Sequence, residues 1–234
     1  MIISVHQPQF LPWLGYFDKI NSSDVFVLLD DVQFKKNEWQ NRNRIKTAQE
    51  EQWLTVPVLH IFGQKICDVK INNNENWKKK HLNAIALNYS KTPFYQDYRD
   101  FFEKIYTQDW ETLYEINSCF IIELCKILGI KTKIVKSSDY EKSEEPTQRL
   151  VDLCKTFKAD TYISGADGPQ YMNMDSFNEA NINIIVQSYN HPKYQQNNFS
   201  KKNDKFLSHM SIIDLLLNCG SETLKILSNA KGAA

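Results

Sequence analysis

The chain has little glycine, and the little it has is badly placed for holding a phosphate. Seven glycines occur in 234 residues, at positions 15, 63, 129, 165, 168, 220 and 232. No Walker loop and no GxGxxG fingerprint can be assembled from them, which excludes those two nucleotide cradles. Cysteine is also sparse: Cys67, Cys119, Cys125, Cys154 and Cys219 are scattered and odd in number. Without a CxxC pair, neither structural zinc nor a disulfide framework is indicated, and a reduced, cytoplasmic setting is expected. A charge excess of either sign is missing, because 28 basic and 28 acidic residues cancel. A nucleic-acid partner bound by phosphate neutralisation would require a basic surplus, so none is expected. No apolar run approaches the roughly 18 residues of a membrane span, and the start lacks the basic and apolar regions of a signal peptide. No internal repeat or flexible linker divides the sequence. One domain over residues 1–234 is expected, with no membrane partner.

What is present alternates. A short strand over 2–5 leads through the turn-like His6-Gln7-Pro8-Gln9 to an aromatic helix over 12–21, with Pro12 in its first turn. The continuous apolar run 25–29 reads as a buried parallel strand that stops at Asp30-Asp31. A further strand candidate spans 53–58, demoted towards an edge by Pro57. Apolar residues at three- and four-residue spacing predict helices over 76–87, 93–107 and 110–128, closed by Gly129. Strand-helix alternation then resumes: strands at 133–135, 161–163 and 182–187, helices at 146–157, 176–180 and 211–227. The pattern defines an α/β fold with a mostly parallel sheet, helices on its faces and a helical insertion at about 76–128.

Ligands of open parallel sheets gather at the carboxyl ends of the strands. Four polar clusters follow predicted strands there: His6-Gln7, Asp30-Asp31-Val32-Gln33, Ser164-Gly165-Ala166-Asp167-Gly168 and Tyr189-Asn190-His191. His6 is a candidate acid or base, since imidazole titrates near neutrality; it could equally be bonded to a backbone carbonyl beside the turn. Asp30 and Asp31 could take a proton, bind a metal or merely cap a turn. In a strand they would point to opposite faces, so at most one reaches a cleft. In Asn41-Arg42-Asn43-Arg44 the two arginines share a face if extended and could grip a phosphate bidentately, the alternative being a solvated loop. Lys78-Lys79-Lys80 reads as a wet helix face. Ser164 lacks the glycine of a nucleophile elbow. His191 and His209 are too far apart for a helical zinc pair, and no metal motif survives.

Several of these stretches resemble the WbqC-like proteins. They are the opening His6-Gln7-Pro8-Gln9-Phe10-Leu11-Pro12-Trp13-Leu14-Gly15-Tyr16-Phe17, then Leu29-Asp30-Asp31-Val32-Gln33-Phe34 and Asn41-Arg42-Asn43-Arg44-Ile45. The similarity continues in Trp77-Lys78-Lys79-Lys80-His81-Leu82, Asn88-Tyr89, Pro93-Phe94-Tyr95, Ser164-Gly165, His191-Pro192-Lys193-Tyr194-Gln195-Gln196 and the block 211–220. Gln195 departs from a pattern that often has proline there, which leaves open whether Gln195 or Gln196 faces a ligand. The resemblance implies a role in O-antigen or other surface polysaccharide (lipopolysaccharide) clusters, where some members are labelled glycine transferases.

The expected activity is therefore N-acyl transfer, glycyl or another small acyl group, onto the amine of a nucleotide-linked amino sugar of dTDP type. His6, Asp30 or Asp31 would supply the base. Gln7, Gln33, Asn41, Arg42, Asn43, Arg44, Ser164, His191, Tyr194 and Gln196 would hold substrate. The donor would be an acyl-carrier-protein or coenzyme A thioester. An ATP- and magnesium-dependent amide ligase is the alternative, with Asp30 or Asp31 on the metal. It echoes adenylate-forming α/β enzymes, although only one histidine of their HxGH signature is present. A non-catalytic sugar-nucleotide-binding or scaffold protein is a third possibility.

Overall fold

The computed structural model describes residues 1–197 and 205–229. It opens with β1 (Ile2–His6), α1 (Leu14–Asn21) and β2 (Val25–Leu28). Two hairpins follow, β3 (Arg42–Lys46) with β4 (Glu51–Thr55) and β5 (Val58–Leu59) with β6 (Lys70–Ile71). Three helices complete the excursion, α2 (Trp77–Tyr89), α3 (Tyr95–Thr107) and α4 (Leu113–Leu128). Alternation returns with β7 (Lys133–Lys136), α5 (Pro146–Thr156), β8 (Thr161–Ser164), α6 (Met174–Glu179) and β9 (Asn183–Val186). The helices α7 (Ile212–Cys219) and α8 (Thr223–Ser228) follow. Five strands form one parallel sheet in the order β7-β2-β1-β8-β9, so every strand expected there is present. No helix among the described residues is long and apolar enough to cross a membrane.

Each face of the sheet has its own core. Ile3, Val5, Val25 and Val27 pack with Leu150, Leu153 and Phe177 from α5 and α6. Phe26 and Leu28 point the other way, into a larger core with Phe17, Phe120, Leu124 and Leu216. All four residues of β2 are buried, which is why its sequence is an unbroken apolar run. Local signals set several boundaries. The Thr112 side chain and Glu115 form a capping box at the start of α4, and Gly129 ends it in the left-handed conformation. Pro146 opens α5 behind the Glu145 cap.

The structure corrects the sequence reading in three places. The first helix starts at Leu14 rather than at Pro12. The Ile212 N–H donates to the Pro12 carbonyl at 2.9 Å and Trp13 bridges to Ser211, so this stretch stays extended. The closing helix is broken: Gly220 has φ 54° and ψ −126°, which no helix accommodates. A Cβ there would lie 2.4 Å from the Phe94 ring. Finally, the strand read at 53–58 ends at Thr55 and pairs with 42–46 in a hairpin outside the main sheet, with Arg44 opposite Trp53. Pro57 separates it from the next hairpin.

Asn43 ties that hairpin to the first turn of the chain. Its amide donates to the Leu11 carbonyl at 2.7 Å and to the Phe10 carbonyl at 3.4 Å. Its oxygen accepts from the Arg44 N–H at 2.8 Å. Leu11 sits at φ 43°, an unfavourable conformation for leucine that these bonds help to fix. Asn43→Ala should therefore lower stability by about 2–3 kcal/mol, because buried acceptors lose their donor. Urea unfolding measures this as a lower midpoint at unchanged slope.

Candidate functional site

The strand order reverses at β1. The chain builds outward from β1 through β2 to β7, then crosses to the other side of β1 for β8 and β9. The connections leaving β1 and β8 consequently diverge, and a crevice opens beyond their carboxyl ends. A cavity of about 660 Å³ occupies that position. Its walls are His6 and Gln7 after β1, Lys19 on α1, Lys35 in the excursion, Arg149 on α5, Asp167 in the loop after β8, and Gln187 and Tyr189 after β9. Trp13 and Gly15 complete the mouth. A Cβ on Gly15 would lie 2.3 Å from the Trp13 indole, so only glycine lets that ring lie across the start of α1.

His6 Nδ1 lies 3.1 Å from the Gln7 carbonyl, and its ring meets the Tyr16 ring edge-on at 4.9 Å. A carbonyl only accepts, so Nδ1 carries the proton and Nε2 is left as an acceptor. Burial, reinforced by the Lys19 charge, depresses the imidazole pKa to about 3. His6 is therefore neutral at physiological pH. The ring is thus bonded to a backbone carbonyl beside the turn, the second of the two alternatives, and it lines the cleft. Gln7 accepts from the Gln40 amide at 2.8 Å, and Gln40 in turn accepts from the Lys35 N–H at 2.8 Å. That relay fixes Gln7 and Lys35 relative to each other. The Tyr16 hydroxyl donates to the Gln7 carbonyl at 3.1 Å.

Lys19 is buried on the same wall, with Nζ donating to the Val5 carbonyl at 3.3 Å. Burial lowers its pKa to about 7. The Asp18 carboxylate, next to it in sequence, accepts from the Gln187 amide at 2.8 Å.

The remaining candidates lie outside this lining. Asp30 is fully buried; it accepts from the Ser138 N–H at 3.0 Å and the Ser138 hydroxyl at 2.9 Å, with Lys136 at 3.7 Å. Asp31 pairs with Lys142 at 2.6 Å. Partial burial opposes its ionisation, but the bond and charge of Lys142 outweigh that and hold the carboxyl below its usual value. Both aspartates thus lean towards β7, bracing the connection after it. Gln33 is exposed and bridges through its backbone to Lys65. Asn41 is consumed by the Val56 carbonyl and the Asn37 N–H, at 3.1 Å each, and Asn43 by the bonds above. Arg42 stacks on Trp53 at 4.2 Å. Arg44 pairs with Glu51 at 2.9 Å and lies beside the rings of Trp39 and Trp53, at 5.4 and 5.5 Å. The two arginines do share a face, as an extended segment requires, but that face is a cation–π ladder on the hairpin. Ser164 is buried under the β8 loop, its hydroxyl donating to the Gly165 carbonyl at 3.1 Å.

His191 stacks near His209 at 4.9 Å, behind Tyr189. Tyr194 and Gln196 donate to the buried Asp214 carboxylate at 2.7 and 2.8 Å, beside the Tyr89 hydroxyl at 2.7 Å. Burial raises the Asp214 pKa against those three bonds. Of the two glutamines left open by sequence, Gln196 is the inward one and Gln195 is exposed. Sequence reasoning missed Lys19, Lys35, Arg149 and Gln187. Lys19 had one legible signal: it stands between Phe17 and Ile20 in a helix with no dry-to-wet alternation.

The fold and the cleft define an α/β protein with a cavity at the switch point of a parallel sheet, where such sheets commonly bind ligands. The comparisons narrow this. The family model described as the WbqC-like protein family matches residues 7–226, and the chain belongs to that family. It is 36% identical over 223 residues to the uncharacterized protein Rv1507c of Mycobacterium tuberculosis (strain ATCC 25618 / H37Rv), covering 94% of each chain. No solved structure matches the chain significantly.

Acid should destabilise the fold through its buried imidazoles. Burial takes His6 to about 3 and His81 to about 4, whereas both bind protons near 6.5 in the unfolded chain. Between those values the unfolded state carries more protons, so the contribution of the two imidazoles is intact above pH 6.5 and is lost as pH drops towards 4. The slope approaches about 1.4 kcal/mol per pH unit for each imidazole. Urea midpoints at several pH values should show it, and His6→Gln should flatten the dependence.

Proposed function

We propose that the chain is a small-acyl N-transferase, glycyl transfer being the leading case, acting on the amine of a nucleotide-linked amino sugar for surface polysaccharide synthesis. The observation that carries this reading is the cleft itself. Its volume lies in the range of small-molecule sites. Lys35 and Arg149 border it in a chain of zero net charge, so they form a local pair of cations suited to a diphosphate. Trp13, Tyr171 and Tyr189 offer flat faces to a base or sugar ring. The Gln7 amide, held by Gln40, is placed to donate to a developing oxyanion. The donor in this reading is a thioester of coenzyme A or of an acyl carrier protein.

One observation favours the amide-ligase reading: the order β7-β2-β1-β8-β9 is the 3-2-1-4-5 order of dinucleotide-binding sheets. Against it, Asp30 and Asp31 are already compensated by Lys136 and Lys142, so a magnesium ion would have to displace a lysine from either.

Incubation with a dTDP-amino sugar and glycine presented as a thioester, or as free glycine with ATP and magnesium, followed by mass spectrometry, separates the readings. Acylated sugar from the thioester arm is the expected result. Product only with ATP selects the ligase, and binding without product in either arm leaves a sugar-nucleotide-binding module. Calorimetry adds a residue-level check. Arg149→Ala and Lys35→Ala should each weaken dTDP-sugar binding by about 1–2 kcal/mol, on the order of tenfold. Arg42→Lys should leave affinity unchanged, since Arg42 lies on the hairpin ladder.

A further inference from the structure

An acyl transfer to an amino sugar requires a group that takes the ammonium proton, and the cleft histidine is badly suited to that. His6 holds its proton on Nδ1 against a carbonyl, and its environment strongly disfavours the imidazolium. A base so weak cannot deprotonate an alkylammonium efficiently. The aspartates are engaged by Lys136, Ser138 and Lys142 on the β7 side.

We propose that Lys19 is the catalytic base of the cleft and receives the proton of the acceptor amine; this rests on the acyl-transfer reading. The geometry is specific. Lys19 is buried in a helix whose residues 14–20 are all buried, yet it lines the cavity. Among the described residues it forms no ion pair, and the Val5 carbonyl is the acceptor of its Nζ. That single bond, at 3.3 Å, favours the ammonium only weakly, and a neutral amine can still donate to the carbonyl. The charged or titratable groups that line the cavity with it are His6 at the end of β1, Tyr16 on α1, Lys35 in the excursion, Arg149 on α5, Tyr162 in β8, Asp167 and Tyr171 after β8, and Tyr189 after β9. Asp18 precedes it in α1. Asp18 is turned to Gln187, and α8, which packs on α1, meets it through Asn21 and Ser228. An ammonium so buried is costly, and its lowered pKa of about 7 agrees with a group poised to exchange a proton at physiological pH.

The step balances as follows. The neutral Lys19 amine takes one proton from the sugar ammonium. The freed nitrogen attacks the thioester carbonyl, forming the C–N bond as the C–S bond breaks. The departing thiolate takes the proton that Lys19 carried. The nitrogen releases a second proton to solvent and keeps the third as the amide N–H.

The test uses the full chain. Lysine side-chain NMR titration, with the Lys19 signal assigned by its loss in Lys19→Met, should find Lys19 titrating near 7. A titration above 9 overturns the proposal. With a dTDP-amino sugar and glycyl-coenzyme A, Lys19→Met should lower kcat about 100-fold or more and leave dTDP-sugar affinity within about threefold. The acid limb of the kcat profile near pH 7 should vanish in Lys19→Met, stay in His6→Gln and not be restored by Lys19→Arg, whose guanidinium keeps its proton. An unchanged rate and limb in Lys19→Met overturn the base role alone. Stoichiometric acylation of Lys19 itself overturns it too, making the lysine an acyl carrier. Absence of transfer by the wild-type chain with carrier-protein or coenzyme A thioesters overturns the acyl-transfer reading, and the base role with it.

Discussion

The reversal of strand order around β1 is the constraint on which the rest depends. A strand with parallel neighbours on both sides must send its outgoing chain to one face while the chain leaving β7 arrives on the other. Here α1 takes one face and α5 the other, with β1 and β8 side by side between them. The ends of those strands cannot be covered by either helix, so a crevice is unavoidable. His6, Gln7, Lys19, Arg149 and Asp167 are carried by elements or connections adjoining the split. The long excursion between β2 and β7 adds a third wall through Lys35 without disturbing the sheet.

The architecture was legible because parallel strands buried on both faces have a distinctive composition. Val25 to Leu28 has no polar position, and each later strand was flanked by helices with clear apolar spacing. The hairpin at 42–55 was not legible for the opposite reason. Its residues Arg42, Asn43, Arg44 and Trp53 look like ligand-binding chemistry. They are consumed instead by other parts of the chain: Asn43 by the distant Leu11 carbonyl, Arg44 by Glu51 and Trp39 nearby, and Arg42 by Trp53 across the hairpin. A single sequence cannot distinguish an amide that holds a ligand from one that holds a backbone carbonyl. The same ambiguity affects Tyr194 and Gln196, whose partner Asp214 lies in a helix read as apolar. Of the residues that follow parallel strands, His6-Gln7 and the 165–168 loop line the cavity. Asp30-Asp31 do not, because β2 is flanked by β7 and β1, away from the split.

Several buried polar groups share one role. Asn43, Asn117, Asp30 and Asp214 make several bonds each across elements distant in sequence, and so pin the excursion and the segment after β9 to the sheet. Networks of this type specify one arrangement of the chain, since each member left unpaired would lose about 1–3 kcal/mol. Lys19 belongs to neither the satisfied networks nor the solvent.

That difference bears on what evolution can tolerate in α1. Leu14, Phe17 and Ile20 are fully buried, and each contributes roughly 1.5–3 kcal/mol by leaving water. Such a helix would be held at least as well by a leucine or methionine at position 19, because an ammonium without a carboxylate in a dry site opposes folding. Packing alone therefore gives no reason for lysine. A reason exists if the amine is used: a dry site without a carboxylate partner is where a lysine can lose its proton near neutrality. Burial is the main cause of both depressed basicities, and the Lys19 charge adds to the depression of His6. A cationic His6 would penalise a cationic Lys19, and burial settles the competition by keeping the imidazole neutral and leaving the amine balanced between its two states.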